Sequence, residues 1–220
     1  MPSPESFAAL ARSSPARWST LRFIERRRLR GEARDVRAWL RRPDLLRVET
    51  LGGALAQIVR ERPQRRPDGL ADDAPMFQDY FWVAMLDPVE LSAGVAVESV
   101  AEVEHAGRQV WEAVVRTTPA YEPRCGCCSL LRSLEVDVRE YGPRSEHVLD
   151  EYPEAHRVRL DVGTGVCVLT EQLGGPTSGQ GHDLRIEAVD EPMADELFRR
   201  VVLTSRGRPG RPHPGVLGAP

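Results

Sequence analysis

Residues 33–60, ARDVRAWLRRPDLLRVETLGGALAQIVR, alternate apolar and polar side chains along most of their length. A period of two is typical of β-strands that bury one face, because successive side chains point to opposite sides of a sheet. Pro43-Asp44 and Gly52-Gly53 interrupt the alternation, and both pairs favour tight turns. The stretch therefore predicts three successive antiparallel strands, with one apolar face and one face rich in arginine.

The same alternation predicts further strands on both sides of this stretch. Upstream, Ser19 to Leu29 places Leu21, Phe23 and Leu29 on the core face and its arginines on the other. Downstream, the predicted strands are Val95–Glu104, Arg108–Thr117, Leu134–Tyr141, Arg157–Val162, Val166–Leu173 and Leu184–Val189. Helical signals are confined to Pro4–Arg12, Met76–Leu86, Pro88–Ala93 and Met193–Arg200. The predicted fold class is α+β, mainly antiparallel β.

Met76 to Leu86 is the most apolar and aromatic stretch of the chain, and its large side chains recur at helical spacing. An apolar sheet face needs a cover, and this predicted helix is the best candidate for it. We expect its aromatic face either to pack into the core or to leave an apolar ligand pocket. The residues expected to line such a pocket are Phe77, Tyr80, Phe81 and Met85 of the helix and Phe23 and Leu40 of the sheet.

The chain has 220 residues and an apolar fraction of 41%, enough for one domain with an ordinary core. We expect an N-terminal helix in residues 1–15, a single domain in residues 16–203 and a disordered tail of arginine, proline and glycine in residues 204–220. All 30 basic residues are arginine and the chain contains no asparagine, a composition that indicates a GC-rich bacterial genome.

The N-terminal sequence MPSPESFAALARSSP has neither the basic start nor the apolar run of a secretory signal. No later segment is long and apolar enough to span a membrane. We therefore expect a cytoplasmic protein, in which thiols are normally reduced. Four cysteines in such a compartment are not automatically two disulfides.

Cys125-Gly126-Cys127-Cys128 is the most conspicuous chemical feature, and it is predicted to lie in a loop between two strands. Three interpretations stay open. The sulfurs pack beneath the sheet, or they form a disulfide or redox site in which Arg124 lowers a thiol pKa, or they bind a soft metal such as zinc with Cys167 as a fourth ligand. Adjacent cysteines point apart in an extended chain, so a shared site needs a special backbone.

The strand–turn–strand segment from Gly31 to Glu49 resembles the signature of LolA-like lipoprotein carriers, and related domains occur in periplasmic regulators of anti-sigma factors. The hairpin from Leu160 to Val166 and the segment from Ile186 to Phe198 are similar to later strands of that superfamily. The resemblance implies a curved half-barrel sheet covered on its concave face by short helices, with acyl chains or partner segments held between them. This sequence departs from the carriers, because it lacks their export signal and lipid-attachment cysteine and has a cysteine cluster.

No catalytic motif is recognisable. The five histidines are scattered through predicted turns and loops, with His182-Asp183 in a solvated turn, and no P-loop, GxSxG or GxGxxG pattern occurs. The absence of a nucleic-acid-binding motif argues against a nucleic-acid partner. We predict a non-enzymatic binding scaffold for an apolar small molecule or a protein segment, with no cofactor unless zinc binds the cysteines. The alternative is a thiol-based redox or metal-responsive protein, and the sequence indicates no oligomeric state.

Overall fold

A curved, open sheet of antiparallel strands dominates the computed structural model, which describes residues 1–29, 31–60 and 75–199. The strands are β1 Thr20–Leu29, β2 Glu32–Arg41, β3 Leu45–Thr50, β4 Leu55–Arg60, β5 Val95–His105, β6 Arg108–Thr117, β7 Ala155–Asp161, β8 Cys167–Leu173 and β9 Gly181–Val189. Their order across the sheet is β4-β3-β2-β1-β9-β8-β7-β6-β5. The edges are therefore β4, with 6 residues, and β5, with 11 residues.

Helices are short in the described residues. The α-helices are α1 Pro4–Ser13, α2 Phe81–Leu86 and α3 Leu134–Tyr141, and 3₁₀ turns occur at Ser14–Ala16, Val89–Ser92, Gly126–Cys128 and Asp195–Phe198. None of these described helices has the length and apolar composition needed to cross a membrane. The predicted α+β half-barrel is confirmed. The domain limits at residues 15 and 203 stay predictions, and the predicted tail at 204–220 lies outside the described residues.

The core lies on the inner face of the sheet, where the predicted apolar positions meet across strands. Leu21 lies opposite Leu40 and Phe23 opposite Ala38, and Leu40 pairs in turn with Leu46 of β3. All of these side chains are fully buried. Their alternation specifies the register, because a shift of one residue would turn the whole set toward solvent.

Two charged side chains of β1 share this inner face. Glu25 and Arg27 follow the apolar positions at the same two-residue period, and both are buried. The prediction that the arginines of this strand lie on the other face is therefore wrong for Arg27. Its guanidinium donates hydrogen bonds of 3.3 and 2.7 Å to Asp79 and lies 4.9 Å from the ring centre of Phe81. The pairing offsets the cost of burying either charge alone.

The cover helix is shorter than predicted. Residues 76–80 are not helical, because the Asp79 N–H donates to Phe77 O at 2.7 Å and Gln78 has a positive φ of 61°. This turn presents Asp79 to the guanidinium of Arg27, and α2 begins only after it. All residues of α2 are buried, so the cover has no exposed face.

The segment Leu134–Tyr141, predicted as a strand, forms α3. Ser133 caps this helix, since its Oγ accepts the Val136 N–H at 3.3 Å, and acidic residues in the first turn favour the positive end of the helix dipole. Gly142, at a φ of 86°, follows its last residue. The sequence LEVDVREY alternates like a strand, but the flanking cap and glycine favour a helix. The cysteine cluster consequently lies between β6 and α3, not between two strands.

The remaining helical predictions differ in outcome. Pro4–Arg12 corresponds to α1, and Pro88–Ala93 contains the 3₁₀ turn Val89–Ser92. The predicted helix Met193–Arg200 is only the 3₁₀ turn Asp195–Phe198 in the described residues, and Arg200 lies outside them.

Gly94→Ala is expected to destabilise the protein far more than Gly53→Ala. Both glycines have a positive φ, 70° and 85°, so alanine is strained at either site by about 1–2 kcal/mol. A Cβ at Gly94 would lie 2.3 Å from Ala120 O, whereas nothing lies within 4 Å of one at Gly53. Urea unfolding of both variants measures the difference, and equal losses of stability would contradict the role assigned to this close approach.

Candidate functional site

The cysteine turn, Cys125 to Cys128, brings three sulfurs together. Gly126–Cys128 forms a 3₁₀ turn, and the Cys128 N–H donates to Cys125 O at 3.2 Å. The turn is not an extended chain, in which adjacent cysteines would point apart, and residues three apart such as Cys125 and Cys128 lie on the same side of it. The Cys127 sulfur lies 3.0 Å from that of Cys125 and 3.3 Å from that of Cys128, and the three sulfurs all lie within 4.8 Å of one another.

Cys167 is not a member of this group of sulfurs. It is fully buried in β8, and its thiol donates to Leu169 O at 3.5 Å. Burial raises the pKa of the Cys167 thiol far above its ordinary value. Of the four cysteines predicted as metal or redox residues, the structure therefore brings three together.

A buried carboxylate holds the chain on both sides of the cysteine turn. Glu90 accepts hydrogen bonds from the Leu130 N–H at 2.9 Å, from the Arg124 N–H at 3.2 Å and from the Tyr121 hydroxyl. The Tyr121 oxygen in turn accepts the Leu131 N–H at 3.3 Å. Burial raises the pKa of Glu90, and these hydrogen bonds oppose the shift. We call Glu90, Tyr121 and the three backbone N–H groups the Glu90 clamp.

The thiols of the cysteine turn are not activated as nucleophiles. Burial is the main cause of the raised pKa of Cys125 and of Cys128. The hydrogen bond with Cys125 lowers the pKa of Cys127, but burial and its other neighbours outweigh it, so the net shift is upward. The predicted lowering of a thiol pKa by Arg124 is wrong, because the Arg124 guanidinium lies 2.6 Å from the Asp87 carboxylate. This environment favours protonated thiols at neutral pH.

The side chains predicted to line an apolar pocket mostly pack against one another. Buried in this region are Phe23, Leu40, Phe77, Phe81 and Met85. Tyr80, by contrast, is 40% exposed. The Trp82 ring, absent from the predicted set, lies 4.6 Å from Phe77 and 5.1 Å from Phe23 between ring centres. These contacts fill much of the space in which the sequence predicts an apolar ligand.

A cavity of about 200 Å³ remains beside the cysteine turn. It lies between β1, β8, the residues that lead into α2 and the segment that follows the cysteine turn. Its apolar wall includes Leu29, Phe81 and Leu130, and its polar wall includes Arg27, Asp79 and Gln172. Cys127 and Cys128 also line it, so one predicted pocket residue and two predicted thiols meet here.

Gln172 lines this cavity and carries an unsatisfied polar atom that is itself shielded from solvent. Its side chain is buried, and its Oε1 has no hydrogen-bond partner among the described residues. A buried acceptor left unpaired costs about 1–3 kcal/mol, and a donor that reached it would recover part of this cost. A donor in the cavity reaches this oxygen only if the Gln172 amide turns toward the cavity. Sequence reasoning missed this residue, although Gln172 shares the two-residue period of Val168 and Thr170 on the buried side of β8.

Glu25 is a second perturbed carboxylate under the sheet. Burial raises its pKa from 4.5 to about 7, although the charges of Arg34 and Arg27 oppose the shift. The Glu25 carboxylate lies 3.6 Å from the Arg34 guanidinium. Near neutral pH this side chain is therefore close to half protonated.

His182 lies within β9 and is buried, so the prediction of a solvated turn is wrong. Burial lowers the pKa of His182 to about 4, which keeps the ring neutral at physiological pH. Its Nε2 lies 2.8 Å from Cys167 O and its Nδ1 lies 2.8 Å from Thr170 Oγ1. The neutral ring donates to the carbonyl and accepts from the hydroxyl, and it packs edge-on against Phe81 at 5.2 Å. His182 thus supports the cavity wall with both nitrogens engaged.

No protein-family model matches this sequence, and no curated protein is a significant match. The chain is similar to the crystal structure of MucB, with 16% identity and a TM-score of 0.48, over 89% of this chain and 62% of that chain. It is similar to the MucA/MucB complex of Pseudomonas aeruginosa, with 17% identity and a TM-score of 0.47, over 90% of this chain and 60% of that chain.

A structure of MucB in complex with MucA(peri) is similar at 17% identity and a TM-score of 0.46, over 91% of this chain and 60% of that chain. The chain thus spans about three fifths of the length of these MucB chains. Similarity at this level assigns neither a family nor a function to the chain.

Tyr121→Phe is expected to lower the free energy of unfolding by about 1–3 kcal/mol, because it removes a donor to buried Glu90 and the acceptor of the Leu131 N–H. The control is Tyr80→Phe at an exposed position, where a change within about 0.5 kcal/mol is expected. Urea unfolding gives both values. A loss of stability no larger for Tyr121→Phe than for Tyr80→Phe would rule out the clamp as a stabilising element.

Glu25→Gln is expected to change how stability depends on pH. A carboxyl whose folded pKa is raised from 4.5 to about 7 lowers stability as pH rises through that interval, since the unfolded state releases its proton there while the folded state still holds its own. The variant lacks this loss, so its stability should rise relative to the parent by up to about 3 kcal/mol between pH 4.5 and pH 8. Urea unfolding across this range tests the difference, with exposed Glu135→Gln as the control. A constant offset between Glu25→Gln and the parent would contradict it.

Proposed function

We propose that this protein is a non-enzymatic binding scaffold that holds a short protein segment at the cavity beside the cysteine turn. The observation that carries the proposal is a cavity that combines an apolar wall with Gln172, whose buried Oε1 has no partner among the described residues and would gain one if the amide turned toward a bound segment. A polypeptide offers what such a surface needs, since every residue except proline has a backbone N–H beside a side chain of variable polarity. Of the side chains that the sequence predicts to bind a ligand, Phe81 lines this cavity.

The dimensions of the cavity favour the end or the side chain of a segment over an apolar small molecule. Its volume of about 200 Å³ lies below the roughly 300–1,000 Å³ of pockets that enclose a drug-sized ligand. The partly buried Arg27–Asp79 ion pair forms part of its wall, which is a poor lining for an acyl chain. A protein segment is therefore the occupant that we propose, and a cytoplasmic location is part of the same proposal.

A cavity-filling variant tests the location. Peptides would be selected from a displayed random library against the immobilised full chain, and the affinity of the most enriched peptide measured by fluorescence anisotropy. Ser129→Phe puts a ring at the cavity wall and is expected to weaken binding at least tenfold, or by about 1.4 kcal/mol. The control Ser178→Phe, in an exposed turn, should bind like the parent.

Either of two results would contradict the proposal: no peptide is enriched, or Ser129→Phe binds as tightly as Ser178→Phe while remaining folded by circular dichroism. A native mass spectrum of the purified chain tests for the other candidate occupant, an apolar small molecule. A bound mass in the lipid range would contradict the proposal of a protein segment and favour an apolar small molecule.

Gln172→Leu separates binding from folding. Leucine has a similar volume and removes the unpaired acceptor, so the free energy of unfolding should stay unchanged or rise. Peptide affinity should fall by about 1 kcal/mol, roughly fivefold, because the donor in the peptide loses its partner. Equal affinity for the variant and the parent would show that this carbonyl takes no part in binding.

A further inference from the structure

The three sulfurs of the cysteine turn face one another, although Cys128 also packs against the edge of the core. Cys167 shows the packed alternative in the same molecule, being fully buried with its thiol donating to a carbonyl of its own strand. Cys125, Cys127 and Cys128 are only partly buried, and their nearest sulfur neighbours are each other, at 3.0 and 3.3 Å. Three thiols that converge on one point are arranged as a ligand set.

We infer that Cys125, Cys127 and Cys128 form a site for one thiophilic divalent metal ion of the zinc class. A zinc–sulfur bond of about 2.3 Å in a tetrahedral site sets neighbouring sulfurs about 3.8 Å apart. The sulfurs here lie within 4.8 Å of one another, with the two nearest pairs at 3.0 and 3.3 Å. Shifts of less than about an ångström therefore bring all three to ligand distance.

A disulfide fits this geometry less well. Sulfurs joined by a disulfide lie about 2.05 Å apart, and the bond requires a specific dihedral angle between the two Cβ atoms. One disulfide would also join only two of the three sulfurs and leave the third as a thiol. A single ion engages all three sulfurs with movements of similar size.

The backbone around the site is held in place before any ion binds. Glu90 accepts the N–H of Arg124 on one side of the turn and the N–H of Leu130 on the other. Gly126 lies so close to α3 that a Cβ on it would come 3.1 Å from the Cβ of Glu140. The anchored ends and this close approach keep the three-residue turn in the shape that gathers the sulfurs, so little ordering is left to oppose binding.

The cavity gives the site access and one open position. Cys127 and Cys128 line its wall, so an ion enters from the cavity, and a water molecule in the cavity supplies the remaining ligand. Each thiol releases its proton to solvent on binding, so three protons leave and a divalent ion becomes a complex of charge minus one. The inference does not depend on peptide binding, because it uses only this chain and the ion.

The test is a titration of the untagged, fully reduced full chain with Cd²⁺ under nitrogen. The thiolate-to-cadmium absorption band in the ultraviolet reports binding. We expect the band to saturate at one ion per chain, Cd²⁺ to displace Zn²⁺ from a zinc-loaded sample because thiolates prefer the softer ion, and either ion to raise the melting temperature. Cys127→Ser and Cys127→Ala are expected to weaken affinity by more than the roughly 10–100-fold typical of losing a group that only supports a ligand. The matched control Cys167→Ala, in the core, should keep the band and the stoichiometry.

The outcomes divide cleanly. Saturation at one ion, lost in both Cys127 variants and kept in Cys167→Ala, supports the site. No band in the reduced parent, an equal band in the Cys127 variants, or loss of the band in a folded Cys167→Ala would overturn it. Melting curves without metal show whether each variant is folded, so a misfolded protein is not counted as a failure to bind.

Discussion

An open curved sheet must bury its inner face under segments that cannot fold alone, and this constraint shapes the whole protein. A closed barrel has no such need, because its strands enclose their own core. Here the cover consists of α1, the six-residue α2 and the chain around the cysteine turn. Helices of this length are marginal by themselves, so their positions depend on what the sheet offers them.

The sheet and its neighbours offer buried polar anchors. Arg27 projects from β1 and fixes Asp79 just before α2, and the Ser14 hydroxyl donates to Leu86 O at the end of α2. Glu90 fixes the chain on both sides of the cysteine turn. Each of these hydrogen bonds stabilises the fold modestly, whereas losing one partner leaves a buried polar group unpaired at a larger free-energy cost. Arrangements of the cover that break them are therefore disfavoured.

Sequence reasoning succeeded where local pattern decides the structure. The two-residue period of residues 33–60 and the turns at Pro43-Asp44 and Gly52-Gly53 predict β2, β3 and β4 closely. It failed for α3, because LEVDVREY satisfies both periods and only the Ser133 cap and Gly142 distinguish them. The prediction placed Arg27 on the outer face because of its charge. The two-residue period of β1 places Arg27 on the same inner face as Phe23. The convergence of the sulfurs depends on a single 3₁₀ turn and on Glu90, which lies 35 residues before Cys125, and no local pattern contains that information.

The two edges of the sheet differ in length, and the longer one, β5, exposes a row of acidic side chains. An edge strand presents unpaired backbone groups to any other strand, which is a hazard for self-association. In β5 the side chains of Glu98, Glu102 and Glu104 are all exposed. A second copy that approached this edge in an antiparallel register would bring two rows of carboxylates together. At neutral pH the repulsion between these carboxylates opposes extension of the sheet by pairing of a second copy at this edge.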